Sequence, residues 1–232
     1  MAKPRLLVLT GAGISAESGL KTFRDSDGLW ENYRIEEVAT PAAWRQQPQL
    51  VLDFYNARRV ACLEAMPNAA HFALVQLEQD FDVCIVTQNI DDLHERAGSS
   101  RVIHLHGSIT QVRSEQNENL LYPYDRPIVL GDVAEDGAQL RPHIVWFGEA
   151  VPNIEQAYDL VEHWADIIVL IGSSLQVYPA AGLLAYAPQH LPKYVLDKRI
   201  PDVHGIANVY PIEQSATQGV AVLLERLTSL LP

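Results

Sequence analysis

The sequence predicts an α/β protein, built on a doubly wound, Rossmann-like parallel sheet with a smaller inserted module. Short apolar runs of strand length alternate along the chain with stretches of helical periodicity. These runs lack the polar–apolar alternation of a half-exposed strand, which indicates strands that are buried on both faces, as in a parallel sheet. In such a sheet, helices cover both faces and ligands bind beyond the carboxyl ends of the strands.

Five strands and four helices account for this alternation. The strands are rich in Val, Ile and Leu, and the helices carry apolar residues at helical spacing with start or stop signals at their ends. The predicted strands are 6–10, 83–87, 102–105, 167–171 and 194–196. The predicted helices are 68–79, 91–97, 153–165 and 216–230, and a capping box at 215–218 opens the last one.

Two stretches do not fit the alternation and are predicted to form the smaller module. Residues 31–67 have helical character, whereas residues 111–141 are polar and rich in Asn, Asp, Glu, Gly and Pro. We therefore expect one domain over residues 1–232, whose module has a helical part and a loop or ribbon part. The Rossmann-like part is expected to comprise about residues 1–30, 68–110 and 142–232.

Composition and charge exclude several classes of function. The net charge is −12 and no basic run is present, which argues against nucleic-acid binding and favours cationic partners such as lysine-bearing segments. No apolar run approaches the ~18 residues of a membrane-spanning helix, and the N-terminal residues lack a signal-peptide pattern, so we expect a cytoplasmic protein without a membrane partner. Cys62 and Cys84 lie in apolar surroundings and are expected to be buried. The sequence leaves the oligomeric state unknown.

The first predicted strand runs into a glycine-rich turn. Residues 11–16, GAGISA, match a pattern in which glycines let the backbone approach a pyrophosphate at a helix N-terminus. A tight turn without a ligand explains the pattern about equally well, and the acidic residue that dehydrogenases carry about 20 residues later is not evident. The turn alone therefore does not identify a nucleotide site.

Polar residues also follow the other predicted strands. Any one of them could be an ordinary helix cap or turn residue. Because the carboxyl ends of parallel strands lie at one edge of the sheet, their joint occurrence indicates a ligand cleft. These residues are Gln88, Asn89, Asp91, His104, His106, Gly172, Ser173, Ser174, Asp197 and Lys198.

His106 is the candidate general base. The unperturbed pKa of histidine, about 6.5, suits proton transfer near neutral pH. His106 directly follows a predicted strand and precedes Gly107, which permits close approach of a ligand. His104, on the same strand, is assigned a structural role.

Five motifs, in this order along the chain, resemble those of the sirtuin family. They are GAGISAESGL at 11–20, TFRD at 22–25, TQNIDDL at 87–93, LHGS at 105–108 and RPHIVWFGE at 141–149. The resemblance implies an NAD-dependent protein-lysine deacylase, which consumes NAD as a co-substrate and releases nicotinamide and O-acyl-ADP-ribose. Proteins or peptides that carry an acylated lysine are the implied partners.

The resemblance also implies roles for individual residues. His106 matches the family's catalytic histidine, which deprotonates a ribose hydroxyl after the acyl oxygen has displaced nicotinamide. The residues that it assigns to NAD are Ala12, Gly13 and Ser15 at the phosphates, Phe23 and Arg24 on a loop over nicotinamide, Asn89 and Asp91 at nicotinamide, Gln88 at its ribose, Gly172, Ser173 and Ser174 at phosphate and adenosine ribose, and Asp197, Ser215 and Ala216 at the adenine. The residues that it assigns to the peptide, which pairs with their backbone as an added strand, are Val145, Trp146, Phe147 and Gly148.

Tyr55 and Arg58 form a candidate site for the acyl group. They lie three positions apart in a helical stretch and therefore share a face. Arg58 offers a planar fork of donors for a carboxylate, and Tyr55 adds a hydroxyl. An arbitrary pair of this kind is more often a solvated arginine beside a core tyrosine. In this position, however, the pair resembles the sirtuin subclass that prefers succinyl or malonyl groups and often still removes acetyl groups.

The chain departs from the family at the zinc site. Most sirtuins carry two Cys-x-x-Cys pairs after the His-Gly motif, but here Ser114 and Asn117 stand at the first pair and residues 133–136 offer no thiolate. Oxygen ligands suit zinc poorly, so no bound zinc is expected. The module is expected to be held by packing instead. The residues predicted to pack are Leu120, Leu121, Tyr122, Tyr124, Ile128, Val129 and Leu130.

Two alternatives to deacylation remain open from the sequence. The same cleft could transfer ADP-ribose to a protein as a mono-ADP-ribosyltransferase, or the chain could be a noncatalytic NAD-sensing module. Arg58 favours deacylation over the first alternative. His106, Asn89 and Asp91, which match the family's catalytic and nicotinamide residues, argue against the second.

Overall fold

The computed structural model describes residues 2–21, 30 and 32–231 of the chain. Within these residues, nine strands form a six-stranded and a three-stranded sheet. None of the described helices is long and apolar enough to cross a membrane. The strands are β1 (Arg5–Thr10), β2 (Asp82–Thr87), β3 (Val102–His104), β4 (Gly107–Ser114), β5 (Leu121–Pro123), β6 (Leu140–Ile144), β7 (Ile167–Ile171), β8 (Lys193–Asp197) and β9 (Val209–Glu213). The α-helices are α1 (Ile35–Val38), α2 (Pro41–Gln46), α3 (Pro48–Glu64), α4 (Ala69–Leu77), α5 (Leu93–Ala97), α6 (Ile154–Asp159), α7 (Leu183–Tyr186) and α8 (Ala216–Thr228).

The six-stranded sheet confirms the predicted fold class. Its order is β3-β2-β1-β7-β8-β9, and every neighbouring pair is parallel. Strand β7 and nearly all of β1 and β2 are buried, because α4 and α8 cover one face of the sheet and α6 and α7 cover the other. The strand order reverses between β1 and β7, which opens a crevice at their carboxyl ends.

Strand β9 and the start of α8 differ from the prediction. The sequence does not predict β9 because it contains Pro211, which an edge strand tolerates. Ser215 is the N-cap residue of α8 but makes no side-chain capping bond, so the predicted capping box is wrong. The Glu17 carboxylate instead accepts hydrogen bonds from the backbone N–H (3.0 Å) and the hydroxyl (2.8 Å) of Thr217. Glu17 thereby joins the glycine-rich turn to α8.

The smaller module combines α1–α3 with the antiparallel sheet β5-β4-β6. Val51 and Leu52 of α3 share one buried apolar cluster with Val112 of β4 and Ile144 of β6. The sequence does not predict β4 and β6 as strands, because both lie in or beside a stretch dominated by polar residues. The residue boundaries proposed for the module stay a prediction.

Ser114, which the sequence resemblance places at a zinc-binding cysteine, closes the end of β4 with hydrogen bonds. Its hydroxyl donates to the Asp136 carboxylate (2.6 Å) and accepts from the backbone N–H groups of Gln116 (3.1 Å) and Asn117 (3.2 Å). Ser114 is buried, so water does not compete for these bonds. The bonds tie the end of β4 to the turn at Asp136.

The predicted packing of the module is only partly right. Ile128 is fully buried, but Leu121, Val129 and Leu130 expose 39%, 54% and 48% of their surface, so the prediction is wrong for these three residues. The main apolar contact comes from α3, which lies far from this segment in the sequence. Among the described residues, no three His, Cys, Asp or Glu side chains cluster as a metal site requires.

Ser114→Ala should lower the free energy of unfolding by roughly 1–2 kcal/mol, because it removes the three hydrogen bonds that the buried hydroxyl makes to Asp136, Gln116 and Asn117. Urea unfolding followed by tryptophan fluorescence measures the loss. Ser100→Ala, at an exposed site, is the matched control and should change little. A Ser114→Ala protein as stable as the control would show that this turn does not hold the module.

Two buried histidines lie behind the cleft. The ring centroids of His71 on α4 and His94 on α5 are 5.0 Å apart, and neither residue is exposed. His71 Nδ1 accepts from the backbone N–H of Asn68 (3.2 Å), and His94 Nε2 lies 3.0 Å from the hydroxyl of Thr10. Burial lowers the pKa of His71 to about 4 and that of His94 to about 3. Both rings are therefore neutral at neutral pH.

These depressed pKa values should make the protein less stable in mild acid. As pH falls from about 6.5 towards 4, the unfolded chain binds protons that the folded chain does not, so each ring costs ~1.4 kcal/mol of stability per pH unit. His71→Phe removes one titration, so the slope of unfolding free energy against pH should decrease by about this amount. Urea unfolding between pH 7 and pH 5 measures the slope.

His163→Gln, at an exposed site, is the control and should keep the slope of the unaltered protein. The interpretation is wrong if His71→Phe also keeps that slope.

Candidate functional site

The carboxyl ends of the central strands open into one cleft of about 540 Å³. It extends from the glycine-rich turn after β1 to the loops after β2, β7 and β8, and the module covers one side. The sequence-predicted residues that line it are Ala12, Gly13, Ser15, Tyr55, Arg58, Gln88, Asn89, Asp91, His106, Val145, Trp146, Phe147, Gly148, Gly172, Ser173, Ser174, Asp197 and Ala216. Ser215 borders α8 without lining the cleft, and Phe23 and Arg24 lie outside the described residues.

The described residues of the turn after β1 contain no α-helix, unlike the pattern that the glycines resemble. Two short 3₁₀ turns, Ala12–Ile14 and Ala16–Ser18, follow the strand instead. The N–H of Gly13 donates to the carbonyl oxygen of Gly172 (2.8 Å), and a Cβ on Gly13 would lie 2.6 Å from the Gly172 Cα. The glycines are thus required by the contact between the two loops, which leaves a cradle lined by backbone.

Asn89, Ser15 and Asp91 form one polar group at the floor of the cleft. Asn89 Nδ2 donates to the carbonyl oxygen of Gly11 and to the hydroxyl of Ser15, each at 3.2 Å. Asp91 is 4% exposed, and its burial raises its pKa although the N–H of Leu93 and the Ser15 hydroxyl stabilise the carboxylate. These three side chains are therefore held rigidly where the loops after β1 and β2 meet.

The His106 ring is in the tautomer that a general base requires, with the proton on Nδ1. Its Nδ1 lies 2.9 Å from the carbonyl oxygen of Gln88, which can only accept a hydrogen bond, so the ring proton resides on Nδ1. Burial lowers the pKa of His106, and the bond to Gln88 offsets this only in part. Near neutral pH the ring is neutral and Nε2 can accept a proton.

Arg141 and Glu149 clamp the segment that was assigned to the peptide, although the sequence predicts no role for either residue. Arg141 Nη1 lies 2.7 Å from Glu149 Oε1, and its guanidinium lies 3.2 Å from the centre of the Trp146 ring. Glu149 also accepts from the backbone N–H of Trp146 (2.8 Å). Burial opposes the ionisation of Glu149, but Arg141 outweighs it, so the pKa of Glu149 lies below its usual range. This ion pair fixes the shape of the segment.

The same segment uses several backbone groups within the chain. The N–H of Val145 donates to the carbonyl oxygen of His106, and that of Phe147 donates to Ala39, each at 3.0 Å. A peptide that pairs with this segment must therefore use its other backbone groups.

Tyr55 and Arg58 lie on one face of α3 and meet the cleft, together with Trp30. Tyr55 is not exposed, and burial raises the pKa of its phenol, so the hydroxyl keeps its proton. The Arg58 guanidinium carbon lies 5.2 Å from the Trp30 ring centroid, and the Trp30 ring packs edge-on against Tyr55 at 6.2 Å. The Arg58 guanidinium and the Tyr55 hydroxyl therefore meet this end of the cleft beside the Trp30 ring.

The sequence does not predict several of the residues that line the cleft. Tyr178 follows β7 by a few residues, so its position after a predicted strand was a usable signal. Trp30 lies outside the alternation of strands and helices, and nothing local indicates its contact with α3. The cleft residues that the sequence does not predict include Leu20, Lys21, Trp30, Ile90, Ile144, Glu149, Val177, Tyr178, Pro179 and Arg199.

Known proteins resemble this chain over nearly its whole length. The profile of the Sir2 family matches residues 11–179. An NAD-dependent protein deacylase of Helicobacter pylori is 52% identical over 225 residues, which cover 97% of this chain and 98% of that protein. An NAD-dependent protein deacylase of Bacteroides thetaiotaomicron is 50% identical over 228 residues, with 96% and 97% covered.

Solved Sir2 structures share the fold. A mutant Sir2 homologue in complex with ADP-ribose has a TM-score of 0.89 and 38% identity, covering 99% of this chain and 95% of that chain. A Sir2 homologue–NAD complex has a TM-score of 0.87 and 37% identity, covering 99% and 91%. A complex of Sir2 with a p53 peptide and NAD⁺ has a TM-score of 0.78 and 28% identity, covering 98% and 95%. With its motifs, fold and relatives in agreement, the chain belongs to the Sir2 family.

Proposed function

We infer that this chain is an NAD-dependent protein deacylase in which His106 is the general base and the Tyr55–Arg58 pair reads the acyl group. The observation that carries this inference is the meeting of three features in one cleft: the glycine cradle, a neutral buried histidine and an arginine among aromatic rings. The glycine cradle suits a dinucleotide, the neutral histidine suits a proton transfer, and the arginine suits an acidic acyl group.

The residues around the cradle fit NAD as a consumed co-substrate. The close contact of Gly13 with Gly172 leaves room for phosphate but none for side chains. We propose that Asn89 and Asp91 contact nicotinamide, because their polar atoms meet at the closed floor of the cleft. The other residues proposed for NAD are Ala12, Ser15 and Ser173–Ser174 at phosphate and adenosine ribose, Gln88 at the nicotinamide ribose, Asp197, Ser215 and Ala216 at adenine, and Phe23 and Arg24 from outside the described residues.

His106 would act by removing a proton from a ribose hydroxyl at Nε2. The Gln88 carbonyl holds the ring in the required tautomer and direction, and burial keeps it neutral. Since Gln88 also donates from Nε2 to the hydroxyl of Ser173 (3.1 Å), one residue orients the base and joins the loops after β2 and β7. The base is thereby preorganised before substrate binds.

Activity should fall in acid as His106 becomes protonated. Because its pKa is lowered from about 6.5, kcat/KM should stay level near neutral pH and decline only below the lowered pKa.

His106→Ala should lower kcat by at least about a hundredfold, while NAD binding measured by calorimetry changes little. The exposed His190→Ala is the control. Full turnover by His106→Ala would remove His106 as the base.

We propose that the acyl pocket prefers succinyl or malonyl groups and still accepts acetyl. A carboxylate at the end of the acyl chain can receive hydrogen bonds from the fork of Arg58 and from the protonated hydroxyl of Tyr55. Trp30 lies over the Arg58 guanidinium and limits its movement, so less entropy is lost when it binds the acid. The Arg58 guanidinium and the Tyr55 hydroxyl on one face of α3 support an acidic acyl group.

Arg58→Met should lower desuccinylation about ten- to hundredfold while sparing deacetylation, because it removes a charged hydrogen bond and keeps the apolar stem. Mass spectrometry of matched succinyl-lysine and acetyl-lysine peptides, with and without NAD, measures both rates. Arg45→Met, on the exposed side of α2, is the matched control and should affect neither. Equal losses on the two substrates would show that Arg58 does not bind the acyl carboxylate. The proposed deacylase activity would be unaffected by that result.

The proposed partners are proteins with an acylated lysine rather than nucleic acids. The chain carries a net charge of −12, which attracts lysine-rich segments and repels phosphate backbones. The exposed rings of Phe147 and Tyr178, at 43% and 76%, flank the cleft and offer apolar contact to residues beside the lysine.

A further inference from the structure

The ring of His104 lies between two groups that only accept hydrogen bonds. His104 ends β3, and its Nδ1 lies 3.0 Å from the carbonyl oxygen of Asn89 while its Nε2 lies 2.7 Å from Oε1 of Glu95. A neutral imidazole carries one N–H, whereas an imidazolium carries two. Both bonds are therefore made together only by the imidazolium, which donates to each acceptor.

The surroundings of His104 favour this charged form. Burial disfavours the charge, but the hydrogen bond and negative charge of Glu95 outweigh it, so the pKa of His104 is raised. Asp91, on the loop after β2, acts in the same direction. The other titratable groups that face the ring are His94 of α5 and His143 of β6, and burial lowers the pKa of each, which leaves both neutral.

His104 and the proposed base hold the same loop. His106 donates to the carbonyl oxygen of Gln88, and His104 donates to that of the next residue, Asn89. These bonds tie two consecutive peptide groups of the loop after β2 to the end of β3. The side-chain amide of Asn89 reaches from this loop to Ser15, so its position depends on the peptide group that His104 holds.

We propose that the imidazolium of His104, held by Glu95, is a positioning group that fixes the Asn89 peptide and thereby the nicotinamide contacts. The inference rests on the proposed assignment of Asn89 and Asp91 to nicotinamide. His104 is not among the residues that line the cleft, so it acts through Asn89 and not on the substrate. When the ring loses a proton, the Glu95 carboxylate keeps the remaining N–H because it is the stronger acceptor, and the Asn89 carbonyl is released.

This arrangement predicts that the affinity for NAD falls at high pH, which is the basic limb of the pH profile. The nicotinamide contacts are intact below the raised pKa of His104 and weaken as pH rises through it. His106 titrates in the opposite sense, since only its neutral form accepts a proton. The basic limb should therefore appear in KM for NAD and in inhibition by nicotinamide, whereas kcat at saturating NAD changes less.

Glu95→Gln is the first test, because glutamine keeps the shape and an acceptor oxygen but removes the charge that favours the imidazolium. The Glu95 side chain is 43% exposed, so the fold tolerates the change. The basic limb should move to lower pH. At pH 8, KM for NAD and the inhibition constant of nicotinamide should rise about tenfold, with recovery at pH 6.

His104→Gln is the second test and should show the rise at both pH values, because glutamine cannot regain the proton. The matched controls are His163→Gln and Asp159→Asn, which alter an exposed histidine–carboxylate pair elsewhere on the surface. Thermal unfolding confirms that each variant is folded. A role confined to stability would lower the melting temperature and leave the nicotinamide constant and its pH dependence unchanged, and that result would overturn the proposal.

Asn89→Ala separates this inference from the proposed function. If Asn89→Ala raises the nicotinamide constant but the His104 and Glu95 variants do not, the positioning role is wrong and the pocket stands. An unchanged constant in Asn89→Ala would show that the pocket itself is misassigned, and the positioning role would fall with it.

Discussion

The site depends on the backbone contact between the turn after β1 and the loop after β7. The hydrogen bond from Gly13 to Gly172 leaves no room for a Cβ on either residue, so the two loops approach as closely as their backbones allow. Since β1 and β7 flank the point where the strand order reverses, this contact forms the floor of the crevice there. The positions of Asn89 and Ser173 follow from it, because both are bonded to these loops.

Histidine serves in three different protonation environments within this one domain. His71 and His94 are buried without an anionic partner and remain neutral, which serves packing. His106 is neutral but presents a free Nε2 to the cleft. Two residues away, His104 contacts a carboxylate and its pKa moves in the opposite direction. Neighbouring groups, not residue type, decide what each ring can do.

The smaller module, which covers one side of the cleft, is held together by contacts between segments that lie apart in the sequence. These contacts are the packing of α3, the hydrogen bonds of the buried Ser114 hydroxyl and the ion pair of Arg141 with Glu149. Arg141 is buried, so removing Glu149 would leave its charge uncompensated. Its contact with Trp146 joins the packing of the module to the wall of the cleft.

The parallel sheet, the family and most of the residues that line the cleft can be read from the amino-acid sequence alone. Apolar runs, glycine turns and polar strand ends are local patterns, and a parallel sheet brings strand ends to one edge whatever the rest of the chain does. The edge strand β9 and the antiparallel sheet were not predicted, because proline and polar residues hide strands that only neighbouring elements stabilise.

Which side chains meet depends on how the strands, helices and loops pack in the folded chain. Glu17 and Thr217 are 200 positions apart, and Trp30 meets Arg58 from outside any regular element. His104 and Glu95 are only nine positions apart, yet a strand and a helix must first pack before they touch. Such pairs carry no local signal, because their hydrogen bonds and charges gain their strength from burial, and burial exists only once the chain has folded.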